Sequence, residues 1–200
     1  MSARSLLEEL PARRIAQATS NVTRQPILAV PVFLVVGLAD AQARGLAWMA
    51  GCLLATTVLP LLYLLYLKRS NRVQDTRNIL RDERSGPLWV VTALWMVAFT
   101  VMAIAGIPAG LRATLLAYVL VTPAFALLTR YTNPSLHAAG ATWAVVCLVN
   151  IVGLWALGIS LLVPLVWWAR IALGRHSLLE LVLGTLVGGL LTQLAFYLGS

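Results

Sequence analysis

The residues able to do chemistry lie in three short polar segments of an otherwise apolar chain. The third segment, ARIALGRHSLLELVLG from Ala169 to Gly184, carries Arg170, five residues, His176, three residues and Glu180. Four apart on a helix, His176 and Glu180 share one face within hydrogen-bond reach, so the carboxylate can hold one imidazole nitrogen and leave the other to attack. Arg170 adds a permanent planar cation suited to a phosphate. Taken singly, these are a snorkelling Arg, a helix-end His and a Glu with a local partner. Taken together they describe a nucleophile, its orienting group and an anion site.

The second segment, RYTNPSLHAAG, runs from Arg130 to Gly140. Its Asn133-Pro134-Ser135-Leu136-His137 stretch places proline at a predicted helix start, where the missing donor costs nothing and the amides that follow suit a phosphate. Ser135 offers a hydroxyl donor and His137 a group that carries a proton near neutral pH. A serine nucleophile with a histidine base is the rival assignment. The absence of a G-x-S-x-G elbow, and Glu180 as the one acid within the apolar part, weigh against it. In the first segment, KRSNRVQDTRNILRDERSG at 68–86, Arg77 and Arg84 are seven apart, two helical turns, so both guanidinium groups can point the same way. Asp75, Asp82 and Glu83 offset part of that charge. The plainer alternative is a basic loop without chemistry. Two His and two Cys leave a catalytic metal under-ligated, so the expected chemistry uses no metal or other cofactor. Cys52 and Cys147 fall in apolar runs and behave as small hydrophobes.

The elements that must position these residues are membrane spans. A chain that is 60% hydrophobic and 11% charged, with mean hydropathy +0.86, lacks the charged surface of a soluble domain. The expectation is an all-α polytopic membrane protein, a bundle of six to seven transmembrane helices. Spans are predicted at about 26–38, 45–67, 87–104, 111–128, 138–155, 159–172 and from the third segment to about 198. The third and fourth join through a tight Gly106, Pro108, Gly110 turn, and Gly184 and Gly188 in the last allow close helix packing. Residues 1–25 are expected to be an amphipathic helix on the membrane surface, with Leu6, Leu7, Leu10 and Ile15 inward and Arg13 and Arg14 toward headgroups, or a disordered tail. Residues 26–200 form the membrane domain. No cleavable signal is expected.

Two spans separate each polar segment from the next, so all three are expected at one membrane face. Of the 15 Lys and Arg residues, all but Arg44 and Arg112 fall on that face, which the positive-inside rule places in the cytoplasm. The net charge of +8 therefore reflects topology and lipid phosphates, and nucleic acid is not an expected partner.

Arg77-x6-Arg84, Pro134-Ser135-Leu136-His137 and Arg170-x5-His176-x3-Glu180 resemble, in order and spacing, the three signature motifs of the type 2 phosphatidic acid phosphatase superfamily, the integral-membrane lipid phosphate phosphatases. The resemblance implies that His176 attacks phosphorus and becomes a phosphohistidine, that Glu180 orients it, and that His137 protonates the leaving alkoxide. It implies a phosphate cradle of Arg77, Arg84, Ser135, Leu136 and Arg170. Arg175, beside the nucleophile but at no motif position, is a secondary candidate. The chain departs from the family pattern with Arg77 for Lys, Ser85 for Pro, Leu136 for Gly, Ala169 for Ser and Glu180 for Asp. The expected function is thus a metal-independent phosphatase of a lipid phosphate or diphosphate (a polyprenyl phosphate, phosphatidate or phosphatidylglycerol phosphate) in the bilayer. The chain's small size leans toward the isoprenoid. A lipid phosphotransferase and a non-catalytic lipid-phosphate binder or transporter are the alternatives. Similarity to small bacterial members implies the inner (plasma) membrane, where such relatives commonly work at the outer face.

Overall fold

The structure, a computed structural model, describes residues 11–72 and 81–199, with the side chains of 40–43 and 81–84 outside the description. It is built from α1 (Pro11–Val22), α2 (Gln25–Leu53), a π turn (Leu54–Val58), α3 (Leu59–Arg69), α4 (Arg81–Ile104), α5 (Ala109–Leu128), α6 (Leu136–Val152), a 3-10 segment (Leu154–Leu161), α7 (Leu162–Ala172) and α8 (Leu178–Gly199). Among the described residues, five stretches are long and apolar enough to cross a bilayer: Arg44–Arg69, Ser85–Ile104, Ala109–Leu128, Leu154–Ala172 and Leu178–Gly199. A sixth exists if α1 and Gln25–Ala39, bent by 54°, count as one. These helices are apolar on every side. Ile104, Leu190 and Val97 stand 84%, 67% and 63% exposed, an arrangement suited to lipid and costly in water.

The chain reverses inside α2 at the break expected between the first two spans, where the backbones of Gly37 and Gly45 lie in contact, so a Cβ on Gly45 would overlap the Gly37 carbonyl. Two departures from the expected spans have local causes. The expected fifth span ends early, because α6 stops at Val152 and the chain turns at Gly153 into the 3-10 segment. That leaves α6 at 17 residues. The π turn precedes Pro60, which has no N–H for the Thr56 carbonyl and whose ring would crowd it. The widened turn relieves this conflict, and the Ala55 carbonyl accepts a hydrogen bond from Trp95 Nε1 of α4 at 3.1 Å.

The core sits between α2, α4, α5 and α6 around an aromatic cluster. Tyr118 packs edge-on against Trp95 and Trp143, with ring centroids 4.6 and 5.2 Å away, and Phe33 lies about parallel to it at 6.1 Å. At one end of the bundle Asn150 Nδ2 donates to Gln193 Oε1 (3.0 Å), and Arg112 donates from Nε and Nη2 to the Gly199 carbonyl (3.0 and 2.9 Å). One of the two cations on that side therefore caps the end of α8. At the other end Arg24, Pro87, Leu136, Arg170 and His176 surround one chamber. Residues of the second and third polar segments thus line one chamber.

Candidate active site

The third segment is a helix end, a turn and a helix start in succession. α7 closes in a Schellman arrangement: the Gly174 N–H bonds the Ile171 carbonyl at 2.8 Å and the Arg175 N–H bonds the Arg170 carbonyl at 3.0 Å. Gly174 sits at φ 64°, which a side chain would strain. α8 then opens with a capping box. Ser177 Oγ accepts from the Glu180 N–H (3.4 Å), and Glu180 Oε2 accepts from the Ser177 N–H (2.9 Å). The same Oε2 lies 3.2 Å from His176 Nδ1. His176 therefore precedes the helix instead of lying on it, and its contact with Glu180 comes from the carboxylate folding back over the first turn. The His176 side chain is 4% exposed and that of Glu180 21%.

The second segment docks on this one through backbone. Helix α6 starts at Leu136, two residues later than a start led by Pro134 implies, because Ser135 is the N-cap and its Oγ accepts from the Ala138 N–H at 3.4 Å. The Ser135 N–H in turn donates to the Glu180 carbonyl at 3.0 Å. Below that link, Gly184 and Gly188 of α8 face Ser135 and Ala139 so closely that a Cβ on either would meet backbone within 2.5 and 2.7 Å. Ser135 is fully buried, so its hydroxyl serves the helix start. Leu136 is 39% exposed and lines the chamber beside His137.

Arg170, in the last turn of α7, is 5% exposed, and its Nη1 donates to Ser20 Oγ at 3.0 Å. The Nε2–H of His137 is directed at the Ser20 carbonyl at 3.1 Å. Both Arg170 and His176 lie within electrostatic reach of His137. Arg175 Nη2 reaches Gln17 Oε1 at 3.1 Å. All three contacts come from α1. This helix buries Ala16 and Ser20 while Ile15 is 58% exposed, so its inward face is the small one that fits α7. Of the first segment, Arg77 lies outside the described residues; Arg84 is in the first turn of α4, and its side chain is outside them too.

The chain matches no family model, no curated protein and no solved structure.

What the arrangement can do follows from its parts. One imidazole is held by a carboxylate through Nδ1, the orienting contact a nucleophilic histidine needs. A second imidazole and a buried guanidinium line the same chamber. Two oxygens of a single residue, Ser20, stand on His137 and Arg170, which is the pattern of acceptors that a phosphoryl group presents. Sequence reasoning missed Ser20 and Gln17, and also Gln25, Tyr118 and Trp143, which line or support the chamber below. A small-residue face at i, i+4 on α1 was the only signal for the first pair. Nothing local marked the others as different from core residues.

Proposed function

We propose that the protein is a phosphatase of a lipid phosphate or diphosphate, working through a phosphohistidine without a metal. The observation that carries this reading is the His176 imidazole clasped by Glu180 at the mouth of an apolar chamber that His137 and Arg170 also line. In the proposed reaction the phosphoryl group displaces Ser20 from Arg170 and His137. His176 Nε2 bonds to phosphorus as the bond to the lipid oxygen breaks. His137, kept neutral by burial and by the nearby Arg170 until the anion arrives, takes the proton that a monoanionic phosphate brings and passes it to that oxygen. Water then attacks the phosphohistidine, His137 takes the water's proton, and phosphate leaves. Arg170 balances charge on the transferring group throughout. Arg77 and Arg84 complete the cradle in this reading.

The reading predicts a trappable intermediate. Protein mixed with a 32P-labelled lipid phosphate and quenched in alkali, where phosphohistidine survives, should carry label that His176→Ala abolishes. A panel of phosphatidate, phosphatidylglycerol phosphate and a polyprenyl phosphate should include at least one lipid that releases phosphate. No release and no label from any of them would refute the reading. A phosphotransferase shares the first half-reaction, and added alcohol acceptors would then carry the phosphate. A non-catalytic binder is favoured by one observation, the engagement of His137 with the Ser20 carbonyl. It predicts saturable lipid binding with no label on His176.

The proposed site end faces the cytoplasm on the charge count, in the bacterial inner membrane. Cys52 and Cys147 are buried, so a Ser70→Cys probe on the exposed end of α3 should be the main reactive thiol. A membrane-impermeant maleimide should label it only in opened cells. Labelling in intact cells would reverse the orientation.

A further inference from the structure

Helix α1 meets the site with its C-terminal end. Ser20 lies in the last turn of that helix, where a backbone carbonyl has no intrahelical donor. The Arg24 N–H, which a longer helix would bring to it, bonds the Asn21 carbonyl instead at 3.4 Å. The Ser20 carbonyl therefore accepts from His137 Nε2 at 3.1 Å. Beside it Ser20 Oγ accepts from Arg170 Nη1 at 3.0 Å, and one turn back Gln17 Oε1 accepts from Arg175 Nη2 at 3.1 Å. The negative end of a helix dipole thus lies against an imidazole and a guanidinium. A phosphate, with full charge on its oxygens, is the stronger partner for both.

The two Ser20 contacts differ in what removes them. A change of rotamer takes Oγ away from Arg170, but the carbonyl is main chain and leaves His137 only if α1 moves with it. The rest of the helix resists little. The side chains it buries fully are Ala16 and Ser20, which carry little apolar area, while Ile15 and Val22 are already 58% exposed. Across Thr23 and Arg24 the chain bends by 54° into Gln25–Ala39, and Arg24 is extended there (φ −66°, ψ 141°). Ahead of its Cα the backbone bonds run back to Thr19 and Asn21, and after it Ile27 and Leu28 bond the Arg24 carbonyl. Rotation about Arg24 breaks none of these, so α1 can swing as a unit.

We infer that α1 is a latch on the phosphate site: its C-terminal end occupies His137 and Arg170 in the closed state, and a lipid phosphate binding there swings α1 off α7 about Arg24. This regulates the site of the proposed phosphatase and rests on that reading for where the phosphate lies. The apparent affinity of such a site is its intrinsic affinity reduced by the fraction of open molecules, so a change that loosens α1 tightens binding.

The test uses the full chain in detergent with dodecylphosphonate, a single-chain mimic of a lipid phosphate, and with dodecanol as the chain without the anion. Ala16 is fully buried, so the thiol of Ala16→Cys reports on the latch. Saturating dodecylphosphonate should raise its rate of maleimide labelling about tenfold or more, whereas dodecanol should not. Ile15→Cys, exposed from the start, should label at one rate throughout. Gln17→Ala removes the hydrogen bond to Arg175 and should tighten dodecylphosphonate binding about fivefold, and Ser20→Ala should do so to a similar degree. Residues that served the ligand directly would weaken binding when removed. A labelling rate that saturating dodecylphosphonate leaves unchanged would overturn the inference, as would weaker binding in both Gln17→Ala and Ser20→Ala. Phosphate release with label on His176, but no change at the Ala16→Cys thiol, would sink the latch and leave the phosphatase. An opening latch without release from any lipid would do the reverse. No dodecylphosphonate binding at all would overturn both.

Discussion

Replacing His176 by Asn should lower phosphate release about 10³-fold or more at saturating lipid, with phosphonate binding retained, because the nucleophile takes part in bond formation and holds little of the ground state. Glu180 calls for a subtler pair of substitutions, since its carboxylate both closes the capping box of α8 and holds His176. Glu180→Gln keeps a side chain that serves the capping box equally well, so the helix start should persist and thermal stability should move little. The negative charge that supports the imidazolium is lost, and turnover should fall about 10²-fold. Glu180→Ala removes both roles and should add about 1 kcal/mol of destabilisation, read as a lower midpoint in a detergent melt. If Ala alone lowers stability and neither variant changes the rate, Glu180 is a helix cap alone.

The sequence made this site legible where chemistry depends on local spacing. Arg170, His176 and Glu180 fall on the end of one helix, the turn after it and the start of the next, and the intervals of five and three residues are those of a Schellman end followed by a capping box. His137 and Ser135 were legible as a helix start, although the cap proved to be Ser135 and Pro134 lies before it. The second and third segments, expected at one membrane face, contribute residues to one chamber. Hidden were features made by long-range packing. The contacts of Ser20 with Arg170 and His137 join residues more than a hundred apart in sequence. Span lengths were misjudged where one residue overrules hydropathy, as Gly153 does by cutting α6 short.

The remaining large effect concerns the link that sets the two histidines relative to each other. His137 is placed by the start of α6 and His176 by the start of α8, and these two starts are joined by the Ser135 N–H to Glu180 carbonyl bond and by the contact of Gly184 with Ser135. A Cβ at Gly184 would stand 2.5 Å from the Ser135 carbonyl oxygen and 3.1 Å from its nitrogen. Both neighbours are backbone, so the helices must part. Gly184→Ala should therefore destabilise the bundle by about 1–3 kcal/mol, the usual cost of overpacking. Displacement of reacting groups by about 1 Å can cost about 10²-fold, so turnover should fall by that order in protein that remains folded. Gly158→Ala is the matched control, because nothing lies within 4 Å of its added Cβ. Equal activity of the two variants per folded molecule would show that catalysis does not depend on how α6 and α8 are seated.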